Sequence, residues 1–324
     1  MLTPEFENIK TIKKLNLKKI EAGTITYKWL HIVSNGLAQP IYVPIMIAKG
    51  KKEGPVLGIT AAVHGNELNG ISIIQRLFGA IDIDNLAGVI VGVPVVNVPA
   101  LINNDRLFPD QQDLNRIMPG NANGNLSQVY AHRVLERIVK EFDFLLDLHT
   151  ASFGRINSYY IRADLSSPTA LKLAKLQEPQ IILNAPPTDG TLRGAAADLG
   201  IDAITIEVGD PNKFQKGMIR SGLHGIYNTM AFLDMYEDAD LVTVTDQHIV
   251  CNSSAWLYTD IGGVLTVLPD LVDYTKEGDR IAVVKNIFGE TLKEYYAPYD
   301  GVVIGKSTHP IAQAGSRIIH LGKK

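Results

Sequence analysis

Residues Pro55 to Glu67 read PVLGITAAVHGNE, and the reading of this stretch decides the fold. Pro55 to Val63 is a continuous apolar run, the pattern of a strand buried on both faces. The run breaks at His64-Gly65-Asn66-Glu67. Beyond it Leu68, Ile71, Ile74, Leu77 and Phe78 recur every three or four residues, which predicts an amphipathic helix from about Glu67. A buried strand that delivers polar residues into a helix start belongs to a layered α/β domain. In such domains ligands bind beyond the carboxyl ends of the strands.

The same alternation extends outward. Thr24 to Val33 and Pro40 to Ala48 are rich in β-branched and aromatic residues and are separated by the turn signal Asn35-Gly36. Gly88 to Val96, Phe144 to Leu148, Ser158 to Ile161, Ile181 to Asn184 and Ala203 to Val208 read as further strands. Helical patterns cover Leu126 to Phe142, Pro168 to Leu176, Leu192 to Leu199 and Gly217 to Met235. These predict an α/β domain with a central, mostly parallel or mixed sheet flanked by helices, over residues 1–245. From residue 246 to 324 helical periodicity is nearly absent. Short β-like runs punctuated by Gly and Pro predict a small all-β module. Lys10 to Lys19 alternates with Ile12, Leu15 and Leu17 and reads as a solvated face on a terminal element.

Composition narrows the function. The 324 residues carry a net charge of −3, without the basic footprint expected of a nucleic-acid binder. No apolar stretch approaches the ~20 residues that span a bilayer, so no membrane partner is expected. MLTPEFENIK has no apolar core and does not read as a signal peptide. The single cysteine, Cys251, points to a reducing, cytoplasmic compartment and excludes a cysteine-built metal site. Any metal must be held by His and carboxylates.

Four clusters can carry chemistry. His64 and Glu67, three apart at a helix start, fall on one side and can share a metal; alone, they also fit an ordinary polar helix start. In Leu145-Leu146-Asp147-Leu148-His149-Thr150, Asp147 and His149 project from one face of a buried strand. His149 can supply a third ligand or be a satisfied core histidine; Asp147 can orient a ligand imidazole from behind. Glu207, at the end of the apolar run Ala203 to Val208, is either a general base facing a metal's water or half of a salt bridge. Finally, Asn103-Asn104-Asp105-Arg106 and Asp113-Leu114-Asn115-Arg116 place two arginines in polar loops. Arginine binds carboxylates through its planar fork and can stabilise an oxyanion, although surface arginines are common.

Together, His64-Gly65-Asn66-Glu67, Asp113-Leu114-Asn115-Arg116, Asp147-Leu148-His149 and Glu207-Val208-Gly209 resemble the succinylglutamate desuccinylase/aspartoacylase family, within the zinc carboxypeptidase-like fold. The resemblance covers about Gly54 to Tyr236. It implies that His64, Glu67 and His149 bind one Zn²⁺ per chain and that Glu207 activates water and then protonates the leaving amine. It also implies that Arg106 stabilises the oxyanion and that Asn115 and Arg116 hold a substrate carboxylate. Arg193, fourteen residues before Glu207, is the candidate for a further family arginine. Tyr295, Tyr296 or Tyr299 are candidates for a family tyrosine, and Arg155 is a weaker candidate for substrate contact.

The implied function is a zinc-dependent amidohydrolase that removes an acetyl- or succinyl-type acyl group from an N-acylated amino acid or related small amine. A metallocarboxypeptidase and a non-catalytic metal-binding protein are the alternatives. The β module has lipoyl-like features, Glu277-Gly278-Asp279 and Asp300-Gly301-Val302-Val303 among them, but no lysine in a modification motif. That leaves it as a lid, a shape filter or the contact of a homo-oligomer.

Overall fold

The computed structural model describes residues 9–187, 190–236 and 247–324. Ten strands, numbered in chain order, form the main sheet. They lie side by side as β1 (Thr11–Ile12), β2 (Thr24–Ser34), β3 (Pro40–Lys49), β5 (Ala87–Val93), β4 (Lys52–Ala61), β6 (Phe144–His149), β10 (Asp202–Glu207), β8 (Tyr160–Ala163), β9 (Ile181–Asn184) and β11 (Ile249–Cys251). The centre, β5-β4-β6-β10, is parallel, and antiparallel pairs at β3/β5 and β10/β8 flank it. The chain is therefore α/β with a mixed central sheet, as its sequence predicts.

Side-chain alternation sorts the strand residues between two cores. Leu57 and Ile59, Leu146 and Leu148, Ile204 and Ile206 face helices α1 (Asn69–Ala80), α4 (Pro168–Leu176) and α6 (Lys216–Phe232). Leu145 and Ala203 face the other layer, which includes α3 (Leu126–Arg137) and α5 (Leu192–Ala197). On this second face, two residues further along each strand, register aligns Thr60, Asp147 and Thr205; the next step pairs His149 with Glu207. The polar residues are thus gathered at the carboxyl ends of three adjacent parallel strands.

The sequence predicts a helix as far as Phe142, but α3 ends at Arg137. Ile138 leaves helical geometry (φ −125°, ψ −65°), and a short 3-10 turn, Val139–Glu141, carries Phe142 beneath β4. Gly58 makes the room: a Cβ there would lie 2.1 Å from the Phe142 ring. The Lys10–Lys19 patch keeps its lysines in solvent while burying Leu15 and Leu17.

The C-terminal region is all β. One sheet holds β12 (Ser253–Tyr258), β19 (Arg317–Lys323), β17 (Gly301–Ser307) and β14 (Tyr274–Thr275); the other holds β16 (Thr291–Tyr296), β15 (Arg280–Lys285), β13 (Gly263–Val267) and β18 (Ile311–Ala312). Leu265, Ile281, Val284, Val303, Ile319 and Leu321 belong to its core. The expected boundary at residues 245/246 lies outside the described residues. Beyond it, β11 still pairs with β9 of the main sheet. In the opposite sense, β7 (Arg155–Asn157) leaves the main domain to pair with β17. No helix among the described residues is long and apolar enough to cross a membrane.

The turn after β4 is built for close approach. Ala62 takes a left-handed φ of 49°. Asn97 caps α2 (Val98–Asn103) by accepting from the Ala100 N–H at 3.2 Å, and its Nδ2 donates to the Val63 carbonyl at 3.1 Å. Gly65 abuts the same helix, where a Cβ would lie 2.1 Å from the Ala100 carbonyl carbon. Gly65→Ala is therefore expected to lower stability by about 1–3 kcal/mol. Equilibrium urea unfolding measures this; an unchanged midpoint would show that the α2 backbone yields freely.

Candidate functional site

His64 and Glu67 project from the β4–α1 turn and His149 from the end of β6. All three are buried, with relative exposures of 2%, 2% and 3%. One donor atom from each lies within 4.8 Å of the other two. His64 Nδ1 is 2.8 Å from Glu67 Oε1, and His149 Nδ1 is 2.9 Å from Glu67 Oε2. The far nitrogens are engaged by other carboxylates. His64 Nε2 lies 2.9 Å from Asp113 Oδ1, and His149 Nε2 lies 2.8 Å from Asp147 Oδ2. Asp147 in turn accepts from the Thr60 hydroxyl at 2.6 Å.

These contacts define the electrostatics. His64 Nε2 faces Asp113 and His149 Nε2 faces Asp147, so an N–H on each outer nitrogen leaves the two Nδ1 atoms able to offer lone pairs to a cation beside Glu67. His64 Nδ1 is buried and makes no directed hydrogen bond despite its proximity to Glu67. A buried carboxylate between two imidazoles calls for positive charge beside it. Burial pushes His149 toward neutrality, but the Asp147 and Glu67 carboxylates outweigh it and hold the imidazole well above its ordinary range. Burial likewise pushes the Glu67 carboxyl up, and the two imidazoles more than reverse it, holding it well below the usual carboxylate range. A divalent cation satisfies the same set of donors, so these residues fit a metal ion. Two imidazoles and a carboxylate form a donor set used in catalytic zinc sites, and carboxylates behind the imidazoles set their tautomers.

The flanking region completes the cluster. The Thr150 N–H and the Ser152 hydroxyl donate to Glu67 at 3.1 and 2.9 Å. Arg106 donates to Glu67 Oε1 at 3.3 Å and to Asp113 Oδ2 at 2.9 Å, and also contacts the Ser152 hydroxyl. Asn115 anchors its Oδ1 on the Leu192 N–H at 2.8 Å and turns Nδ2 toward His149 Nε2, 3.5 Å away. Glu207 lies on β10 beside His149 in register. It accepts from Asn157 Nδ2 at 3.1 Å, and burial raises its carboxyl above the ordinary carboxylate range.

A family model, the succinylglutamate desuccinylase/aspartoacylase catalytic domain, matches residues 53–233. The chain belongs to this family. The N-alpha-acetyl-L-2,4-diaminobutyric acid deacetylase of Halomonas elongata is 32% identical over 111 residues, which cover 34% of this chain and 32% of that protein. The match thus spans about a third of that relative's length. Among solved structures, the product-bound ectoine utilization protein EutE (DoeB) of Ruegeria pomeroyi superposes with a TM-score of 0.84 at 18% identity, over 94% of this chain and 98% of that one. A succinylglutamate desuccinylase/aspartoacylase of Rhodobacter sphaeroides gives 0.84 at 20% identity, over 97% and 99%. At these identities the two structures show the shared fold.

In this family member a cavity of about 120 Å³ opens onto the cluster. It is lined by His64, Glu67, His149, Glu207, Arg106, Asn115, Arg116 and Arg193, so the structure brings these sequence-named residues together; Asp147 stands behind His149. Arg193 is buried rather than exposed on its helix, and its guanidinium donates to the Ala185 and Pro186 carbonyls at 2.8 and 3.4 Å. None of Tyr295, Tyr296 and Tyr299 reaches the cavity. Their hydroxyls bond Asp260, Glu294 and the Leu321 carbonyl, and Tyr160 is the tyrosine in the wall.

Sequence reasoning gave no role to Asp113, Ser152, Asn157, Arg162, Trp256 or His320. Arg162 inside the apolar strand β8 carried the same signal as Glu207, a charge where burial is costly. Trp256 and His320 carried no local signal, because only the fold of the β module brings them in. If Asp147 sets the His149 tautomer, Asp147→Asn should weaken metal affinity by about 10- to 100-fold. Competition against a chromophoric chelator measures it; unchanged affinity would remove this role.

Proposed function

We propose that the protein is a zinc-dependent amidohydrolase that removes an acetyl- or succinyl-type acyl group from a small, anionic N-acyl amino acid or related amine. The observation carrying this reading is the convergence of His64 Nδ1, His149 Nδ1 and Glu67 on one buried point beside Glu207. His64, Glu67 and His149 would hold the zinc, which when bound supplies a Lewis acid and a water more acidic than bulk water. Family membership and the resemblance to a diaminobutyrate deacetylase support the deacylase chemistry.

The roles of the chain's own residues follow from their surroundings. Glu207 is the general base. Its raised pKa suits it to take a proton from the attacking water and return it to the leaving amine nitrogen. Asn157 holds one carboxylate oxygen of Glu207, and Tyr160 and Arg162 stand beside the same carboxylate. Arg106 stabilises the oxyanion formed as the scissile carbonyl becomes tetrahedral. Its Asp113 contact fixes the guanidinium before substrate arrives. Arg116, exposed at the cavity and with no side-chain hydrogen bond or ion pair among the described residues, binds a substrate carboxylate beside Asn115. In this reading residues 1–245 carry the chemistry, and the C-terminal module, in a lipoyl-like barrel-sandwich arrangement, supplies part of the cavity wall.

The test is hydrolysis of N-acetyl and N-succinyl amino acids beside dipeptides, with chelated and zinc-restored protein. Zinc-dependent cleavage of the N-acyl amino acids is expected; full activity in metal-free protein, or cleavage of dipeptides alone, would overturn the reading. Because the Glu207 carboxyl is raised, it protonates at a higher pH than an ordinary glutamate. The acid limb of kcat/KM should therefore lie above the usual carboxylate value of about 4.3. Glu207→Gln should cost about 10²- to 10⁴-fold in kcat. A wild-type acid limb at an ordinary carboxylate pKa, or a Gln variant of undiminished kcat, would exclude Glu207 as the base.

A further inference from the structure

The cavity is lined by five arginines. Arg106 is committed to Glu67 and Asp113, and Arg193 to two backbone carbonyls. Arg162 is also engaged, facing Tyr160 and Glu207. Arg116 and Arg155 remain, and neither has a hydrogen bond or ion pair to its side chain among the described residues. Arg116 is solvated, whereas Arg155 is half-buried. Glu207 and Glu67 attract Arg155 only at longer range, and Arg317 and Arg106 crowd it with like charge. A half-buried guanidinium without an anion is costly unless a ligand completes it.

Its placement is not incidental. Arg155 opens β7, opposite Ser307 of β17 in the C-terminal module. The Gly154 carbonyl accepts from the Thr308 N–H at 2.9 Å, so the same module fixes the approach to Arg155. The Arg155 guanidinium lies 5.8 Å from the centre of the Trp256 ring, within cation–π range. The indole is itself stacked on His320, with centroids 5.1 Å apart and planes 10° from parallel. His320 is anchored to the Ser254 hydroxyl at 2.8 Å, and burial among Arg162, Arg155 and Arg317 pulls its pKa down to about 3. The imidazole is therefore neutral and adds no charge behind the indole at ordinary pH. Arg317 lies 5.4 Å from the centre of the same ring, and Arg155 itself lines the cavity.

We propose that Arg155, backed by Trp256, is a specificity-determining residue that binds a second carboxylate of the substrate. The preferred amides then carry negative charge at two separated points, one for Arg116 and one for Arg155. The inference rests on the deacylase reading for its reaction but not for its anion binding. A monoanionic amide leaves one guanidinium without a partner, and discrimination comes from that unmet charge.

The experiment pairs kinetics with binding on zinc-loaded protein. N-acetyl-aspartate and N-succinyl-alanine are compared with N-acetyl-alanine, and succinate with butyrate by calorimetry. Arg155→Gln should lower kcat/KM for whichever dianionic amide the wild type prefers by about 10- to 100-fold, chiefly through KM. It should leave N-acetyl-alanine within about threefold, well below the energy of one charged hydrogen bond. Arg155→Lys should fall between, because it keeps the charge and loses the fork. Trp256→Leu should raise KM for the dianion, and Trp256→Phe should restore most of it. Equal losses on both amide classes, or no wild-type preference for dianions, would overturn the proposal; Trp256→Leu behaving as wild type would overturn the backing role. If the wild type cleaves no amide, the deacylase reading fails by itself. The Arg155 inference is then decided by binding: wild-type preference for succinate over butyrate that is lost in Arg155→Gln supports it, and any other pattern overturns it.

Discussion

Glu67 sits buried with its two oxygens between two imidazole nitrogens, and much of the site is arranged around that carboxylate. An isolated charge at this depth would be expelled or neutralised. Here a backbone amide, a serine hydroxyl and Arg106 each donate to it, and two further carboxylates hold the imidazoles from behind. Positive charge facing Glu67 is what this arrangement requires, and His64, Glu67 and His149 offer donor atoms close enough together to share a cation that supplies it.

The strand order makes this constraint possible. β4, β6 and β10 are adjacent and parallel, so their carboxyl ends coincide. One alternation of side chains brings Thr60, Asp147 and Thr205 into line, and the next brings His149 beside Glu207. The Thr60 hydroxyl that bonds Asp147 therefore supports the His64, Glu67 and His149 cluster from a position directly between Ile59 and Ala61 of the apolar core. The same parity that buries Leu146 and Ile204 in one core turns Asp147 and Thr205 toward the other face.

Much of this was legible in the sequence because the decisive residues violate local expectation. Apolar strands ending in His64, His149 and Glu207 announce a site, since burying such groups without purpose is costly. The layered fold was equally legible, from strand and helix periodicities that alternate along the chain. Boundaries were less so: the end of α3 depends on Phe142 reaching the space above Gly58, a long-range packing event that periodicity does not encode. The tyrosines were misplaced for a related reason. Tyr295, Tyr296 and Tyr299 sit in a sequence rich in aromatic residues, but strand pairing in the β module turns their hydroxyls to Asp260, Glu294 and a backbone carbonyl. Trp256 and His320 reach the cavity through β12 and β19, adjacent in space and distant in sequence.

The two strand exchanges bear on what the β module can do. β11 extends the main sheet from the C-terminal side, and β7 extends the module's sheet from the catalytic side. Asn157, which orients Glu207, lies on β7 opposite Gly305 of β17. A Cβ at Gly305 would come within 2.5 Å of the Asn157 side-chain oxygen, so the contact is close. Swinging the module away would break the β7–β17 ladder and loosen the residue that holds Glu207, while removing Trp256 from the cavity wall. A detachable lid would loosen the Asn157–Glu207 contact at every opening. The strand pairing is better suited to a fixed wall, one that shapes the cavity of its own chain beside the exposed Arg116.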